Sequence, residues 1–556
     1  MRSAGHHCVG QTLASRSHHC MEQTTAWGRS SRDSRTIAWS RRSRGARTIA
    51  WSRRSREART IAWSRRSREA RTIAWSRRSR EARTIAWSRR PREARTIAWS
   101  RRSREARTDL LLPTHSQETA NGWGTELHLS GESIEELRTK PFDDTYSMVA
   151  AHVAPVALLI LSWFLALGWL WQAVAALRGM PTLPDLTRMD TNALPCLPVG
   201  DGPHLSVIVP ACNEEKSIEA TLRSLLASTG LRLEMIAVDD RSTDQTGKLM
   251  DAIAAEALGG PHGLEVVHVT DLPAGWLGKP HALAKGVEQA TAPWLLFTDG
   301  DVSFAPHALE LSLRLAQAER ADQLVLALTL VSESIGEAAV QATAQALAQW
   351  SLRLWKVAEP KARDFCGTGG FNMVRTAMFA RLGGFEKLRM EVVEDMTLGW
   401  MVKRAGGRSI VALGPGLVNI RWIEGIFGIV GNMEKNGFAI FRFRVGLALA
   451  ASLGLLLHAV LPLVAIAAGG WTMVAGLLTY ASIALMFHAN RRLNGVWPLA
   501  AVLFAPATAI ISFGILRSVV LTLGRDGVNW RGTHYPLSEL RKNAVRWAPL
   551  RGADAR

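Results

Sequence analysis

WLLFTDGDV, residues 294–302, is a short apolar run that stops at two aspartates one residue apart, Asp299 and Asp301. Hydrophobic residues bounded by a carboxylate pair read as a buried strand that delivers acid groups to the edge of a sheet. Two carboxylates this close repel, and each resists desolvation, so a chain that keeps them at a strand end calls for a cation. Mg²⁺ or Mn²⁺ suits oxygen ligands of this kind and would in turn hold a diphosphate. Gly300 between the two is read as allowing close approach of the backbone. D-x-D alone is weak, because short acidic pairs also occur in turns; the flanking sequence decides.

Upstream, LSVIVP (205–210) reads as a parallel strand, followed by the polar turn at Ala211 to Asn213 and a helical pattern at Ile218, Leu222, Leu225 and Leu226. The pattern then repeats. Leu233 to Val238 is a strand ending in Asp239 and Asp240, Ser242 to Ala257 is a capped helix, and Leu264 to Val269 is the next strand. Such alternation predicts an α/β domain built on a parallel, doubly wound sheet, with ligand groups at the carboxyl ends of its strands.

Six segments resemble the family 2 glycosyltransferases in their order and spacing: VIVPACNEE (207–215), VDDRSTDQT (238–246), GWLGKPHAL (275–283), TDGD (298–301), GTGGF (367–371) and VED (393–395). The resemblance covers residues 203 to about 445 and nothing before 148. It implies the GT-A fold, Rossmann-like with a mostly parallel sheet, here with flanking transmembrane helices. By the same resemblance Asp240, with Asp239 as a second candidate, accepts from the uracil or ribose of a UDP-sugar; the alternative is capping of the next helix. Lys279 is placed to neutralise diphosphate charge, or else is a solvated surface lysine. Asp299 and Asp301 hold the nucleotide and its Mg²⁺ or Mn²⁺, with Asp301 the more direct ligand. Gly367, Thr368, Gly369 and Gly370 form an acceptor loop. Asp395 is the general base that deprotonates the acceptor, with Glu394 as runner-up, and the family implies inversion at the anomeric carbon.

The formal net charge of +19 suggests nucleic acid, but its distribution argues otherwise. Residues 1–147 hold 31 Lys and Arg against 15 Asp and Glu, whereas residues 148–556 hold 36 against 33. From Ser34 to Glu105 a twelve-residue unit repeats six times, as in ARTIAWSRRSRE (46–57). A solenoid unit needs about 20 residues or more and an apolar face to bury. This unit offers Ile, Ala and Trp against four arginines, so residues 1–147 are read as a disordered Arg/Trp-rich region, with Met148 as a candidate start. The alternative is an arm for nucleic acid or anionic lipid. The five cysteines are scattered, with no pair or spacing that suggests a disulfide framework or zinc site.

Val149 to Leu177 contains no charged residue and is long enough to cross a bilayer, so residues 148–178 are read as a transmembrane helix and 179–202 as a linker. The glycosyltransferase domain occupies 203–420. Residues 421–444, with Trp422, Phe427, Lys435, Arg442 and Arg444, suit an interfacial helix lying on anionic lipid. Residues 445–523 contain two to three membrane segments and 524–556 a basic tail. A third full span would place that tail outside. Pro498 and Pro506 would permit a re-entrant segment instead, and WRGTHY (530–535) is similar to a W-R-G-x-x-Y tail of related lipid glycosyltransferases that lies near their active sites.

The sequence therefore predicts a multi-pass enzyme of the cell membrane, of bacterial inner-membrane type, with its catalytic domain cytoplasmic. It is expected to move a sugar from a nucleotide-sugar donor to a membrane lipid or lipid-like acceptor of the hopanoid, carotenoid or ceramide type, with no specific nucleic acid as partner. A processive polysaccharide synthase is the alternative, although the Q-x-x-R-W motif of such enzymes is missing. A membrane-tethered nucleic-acid-binding protein is the second alternative.

Overall fold

The computed structural model describes residues 142–198, 202–545 and 547, with backbone alone over 142–154, and the backbone of eight strands between residues 23 and 111. The chain divides into Met1–Arg138 and Thr139–Arg556.

In the first unit, where the sequence predicts disorder, the eight strands form two parallel four-stranded sheets. Each strand pairs in register with the second copy along, Arg47 with Arg71 and Ile49 with Ile73. Two copies thus make one 24-residue turn. Identity between copies lets every backbone amide meet the same partner in the next turn, which satisfies hydrogen bonds that the short unit does not satisfy alone.

The second unit is built on a seven-stranded sheet. Its strands are β1 (Leu205–Ala211), β2 (Leu233–Asp240), β3 (Gly263–Val269), β4 (Trp294–Phe297), β6 (Gln323–Leu326), β8 (Asn372–Arg375) and β9 (Ser409–Ala412), in the order β3-β2-β1-β4-β8-β6-β9. Only β8 runs against its neighbours. The mostly parallel α/β domain expected from the alternation is therefore present. Alternate residues face opposite layers: Val207, Val209 and Met235 pack with Ile218, Leu222 and Leu313, while Ile208, Ile236 and Val238 pack with Leu283, Phe379 and Val402. Burial on both faces explains why these strands read as continuous apolar runs. A small second sheet, β5 (Val302–Phe304), β10 (Val418–Ile420) and β7 (Thr329–Leu330), begins directly after Asp301.

The predicted linker is docked rather than free. The Leu186 amide donates to the Leu413 carbonyl and the Leu413 amide to the Pro184 carbonyl, both at 2.8 Å, and Asp185 takes the Arg492 guanidinium at 2.6 Å. Four helices are long and apolar enough to cross a membrane: Pro155–Thr182, Val445–Ala468, Gly470–Asn494 and Pro498–Gly524. The helix containing the first of these starts at Phe142, upstream of Met148. The last consists of a short 3-10 turn, Pro498–Leu503, and a helix, Phe504–Gly524. That helix runs antiparallel to Val445–Ala468. Phe504 stacks edge-on with Trp169 at 5.3 Å, Ser512 donates to the Ser452 carbonyl at 3.2 Å, and Ser518 accepts from the Phe438 amide at 3.0 Å.

The helix Gly428–Ala439 occupies the predicted interfacial stretch, and Phe427 is exposed as expected. Arg444 is exposed as well, but Lys435 and Arg442 turn to the protein. Lys435 lies on the Trp530 ring at 4.1 Å, and Arg442 pairs with buried Glu391 and stacks on Trp547 at 3.8 Å. A carboxylate and two aromatic faces inside the fold offer these cations better partners than water does.

Candidate active site

Strand β4 ends at Phe297, and the chain turns through Thr298, Asp299, Gly300 and Asp301 before β5 begins. Two hydroxyls pin this turn: Thr298 donates to the Gly370 carbonyl and Thr221 to the Gly300 carbonyl, both at 2.9 Å. An added Cβ at Gly300 would find its nearest neighbours, Ala211 and Ile218, at 3.5 Å, so the close approach expected there does not occur. It occurs at the acceptor loop instead. A Cβ on Gly369 would run into the Asp299 carboxylate and stand 3.1 Å from the Lys279 ammonium, and one on Gly367 would overlap the Asp395 carbonyl. Thr368 closes the loop by bonding the Phe371 backbone at 3.2 Å.

Lys279, in the first turn of the helix Gly278–Gln289, bridges Asp299 at 2.7 Å and Glu394 at 2.8 Å. It is not a solvated surface lysine. Burial works against its charge, yet Asp299, Glu394 and Asp395 hold its pKa above the usual lysine value. The same contact keeps Asp299 below the ordinary carboxylate range despite the opposing effect of burial. Asp301 has no such partner. Burial first, then the charges of Asp299 and Glu214, push it up to about 6.

Glu394 and Asp395 open the helix Glu394–Arg404, where the amino-terminal dipole favours negative charge. Glu394 is 4% exposed and committed to Lys279. Asp395 is less enclosed, accepts from the Met396 amide at 2.7 Å, and is pushed up to about 7 by burial and by its neighbour Glu394. Lys279, Thr368, Gly369, Glu394 and Asp395 line one small cavity of about 10 Å³.

Asp239 and Asp240 end β2 close by, but their oxygens are already engaged. Asp239 accepts from the Ser242 amide at 3.3 Å and pairs with His268 at 3.0 Å. Asp240, with no exposed surface, is gripped by Arg241 at 2.9 Å and Arg531 at 3.3 Å. His281 is buried against Trp276. The sequence reading did not single out Glu214, Arg241 or Arg531, although Glu214 lies inside the quoted VIVPACNEE and Arg531 inside WRGTHY, and it assigned Lys435 to anionic lipid rather than to the site.

The donor set fits a hard divalent ion. Asp299 and Asp301 offer only oxygen, and no described residue donates a side-chain hydrogen bond to Asp301. Among the described residues no three His, Cys, Asp or Glu side chains converge on one metal position. A small hard ion of this kind commonly takes one or two carboxylates and completes its shell with phosphate and water.

An α/β domain with acids and a lysine gathered at the carboxyl ends of its parallel strands has the layout of a ligand-binding enzyme domain. Residues 206–383 match the sequence model of Glycosyl transferase family 2, and the chain carries a glycosyltransferase domain of that family. A 4,4'-diaponeurosporenoate glycosyltransferase of Staphylococcus aureus is 36% identical over 101 residues, 18% of this chain and 24% of the relative. The match thus spans about a quarter of that relative's length. Among solved structures, a mannosyltransferase from Pyrobaculum calidifontis in complex with GDP-Man and Mn²⁺ has a TM-score of 0.39 at 18% identity, covering 66% of this chain and 97% of that one. The S. aureus TarS fragment 1-349 in complex with UDP has a TM-score of 0.29 at 16% identity, covering 58% and 91%.

Proposed function

We propose that this chain is a membrane-anchored, inverting glycosyltransferase that moves a sugar from a nucleotide-sugar donor, a UDP-sugar in the first instance, to a lipid-like acceptor. The observation that carries this reading is that Lys279 joins Asp299, within the family-matched residues, to Glu394, beyond them, at a small cavity that Glu394 and Asp395 line. Helices long enough to cross a membrane flank that domain on both sides, which favours an acceptor drawn from the bilayer.

Asp301, with Asp299, would hold Mg²⁺ or Mn²⁺. When bound, the ion supplies positive charge against the oxygens of the diphosphate leaving group. Lys279 adds a fixed cation at the same place, and its two carboxylate partners keep it charged while the site is empty of donor. Asp395 takes the proton from the acceptor as its oxygen attacks the anomeric carbon on the face opposite the departing diphosphate, which inverts that centre. Glu394, held by Lys279, is less free to do so.

The test is release of UDP from a panel of UDP-sugars in the presence of membrane lipids, with and without Mn²⁺. The full chain is expected to turn over only with the ion. Asp301→Ala should reduce turnover by about 100-fold or more, since it removes a ligand of the group that stabilises the leaving charge. Undiminished turnover in that variant, or in chelator, would refute the metal assignment, and a linear polymer as product would favour the synthase.

A further inference from the structure

We infer that the carboxyl-terminal hairpin completes the donor site, with Arg531 gripping the donor's diphosphate and Asp240 as the residue that positions it; this rests on the proposed transferase reading. The hairpin is β11 (Gly527–Trp530) and β12 (Thr533–Pro536), joined by Arg531 and Gly532 at φ 49° and 74°. Both turn residues are left-handed, the geometry that matches strand twist. Glycine adopts it freely, whereas arginine does so only where the surroundings hold it.

Four contacts hold it. Arg531 Nη1 meets Asp240 Oδ2 at 3.3 Å, and Arg241 Nη1 donates to Thr533 Oγ1 at 3.1 Å. The Gly278 amide, at the first residue of the lysine-bearing helix, donates to the Tyr535 hydroxyl at 3.1 Å. Lys435 lies on the Trp530 ring. The helix Phe504–Gly524 is separated from this hairpin by two residues, Arg525 and Asp526, so a candidate membrane helix is joined almost directly to the cleft.

Asp240 is satisfied by two arginines and has little left for a nucleotide. Arg531 has more to offer. Among the described residues its guanidinium makes one hydrogen bond, to Asp240, which leaves further N–H groups on a planar fork. It stands at the end of β2, 3.3 Å from Asp240, and its positive charge also favours the ionised forms of Asp299 and Glu214. A guanidinium oriented on one edge by a buried carboxylate is arranged for two-point contact with phosphate on the other.

Lys435 adds a second observation. It has no ion pair among the described residues, and burial together with Lys279 and Arg531 pulls it down to about 8. An ammonium kept among cations is relieved by an arriving anion. Arg531 and Lys435 would therefore receive the charge that Lys279, already bridging two carboxylates, neutralises only in part.

The experiment measures binding of UDP and of uridine to the full chain in lipid nanodiscs with Mn²⁺, by ligand-observed NMR. Arg531→Ala is expected to weaken UDP by about 10- to 100-fold, the loss of a charged hydrogen-bond pair, and to leave uridine unchanged. Arg531→Lys should recover part of the loss, keeping charge without the fork. Arg241 still satisfies Asp240 in both variants, so their thermal unfolding should stay near that of the parent. Asp240→Asn should weaken UDP in the same selective way. If Arg531→Ala binds UDP like the parent, or loses UDP and uridine alike, the hairpin's role is overturned and the transferase reading stands. If the parent chain itself binds no UDP, both fall.

Discussion

Glu394 and Asp395 are adjacent on one helix turn, yet their contacts assign them opposite tasks. Glu394 is a counter-ion, locked to Lys279 at 2.8 Å. Asp395 carries no cation of its own and is pushed up to about 7 by burial and by Glu394, which suits a base working near neutral pH. Only its ionised form accepts a proton, so kcat/KM should fall as pH drops through about 7. Asp395→Asn should reduce the rate by about 10²- to 10⁴-fold and remove the limb near 7. A pH–rate profile of both proteins checks this, and a parental rate in the Asn variant would exclude Asp395 as the base. Asp299, Asp301 and Lys279 were legible in the sequence because each lies beside the strand end or helix start that aims it. The resemblance of WRGTHY brought Arg531 to the neighbourhood of the site, but not its contact with Asp240, which spans 291 positions of chain.

The helix Phe504–Gly524 poses the question at the scale of an element. Composition alone made it a candidate third span of the carboxyl-terminal region, since an apolar segment reads the same whether it crosses the bilayer or turns back. Its contacts distinguish the two. Phe504 lies level with His458 through Trp169, four turns into the preceding span, whereas Ser518 lies at Phe438, before that span begins. The chain then enters a hairpin bonded to Asp240. Such contacts are those expected of the re-entrant arrangement that Pro498 and Pro506 permit, with both ends of the segment on the catalytic side. In a background with Cys8, Cys20, Cys196, Cys212 and Cys366 replaced by serine, single cysteines at Trp497→Cys and Asn529→Cys should be modified by a membrane-impermeant reagent from the same face as Lys285→Cys, and Trp471→Cys from the other. Labelling of Asn529→Cys from the face of Trp471→Cys would mean a full crossing. The direction of Lys435 and Arg442 was equally hidden, because a basic amphipathic helix has one sequence pattern whether its cations meet lipid phosphate or its own protein's acids.

At the scale of the whole molecule the question is what residues 1–138 contribute to catalysis. Every side chain placed in the cleft, from Glu214 to Tyr535, comes from the second unit, as do all four membrane candidates. The basic excess, by contrast, lies almost wholly before Met148. Charge of that kind attracts polyanions through counterion release and does no chemistry on a sugar. The two functions should separate on truncation. A chain beginning at Phe142, which keeps the first helix whole, should retain kcat and KM within about twofold of the full chain, as expected when no side chain of the cleft is removed. Its affinity for nucleic acid and for anionic vesicles should fall, and the salt dependence of that affinity should flatten as arginine–phosphate contacts are lost. If turnover instead disappears while the truncated chain still unfolds cooperatively at the parental temperature, the repeat has a part in catalysis that the cleft does not reveal. Retained turnover would assign the strands of residues 23–111 to binding or to no role in the reaction, and the enzyme to the unit that follows.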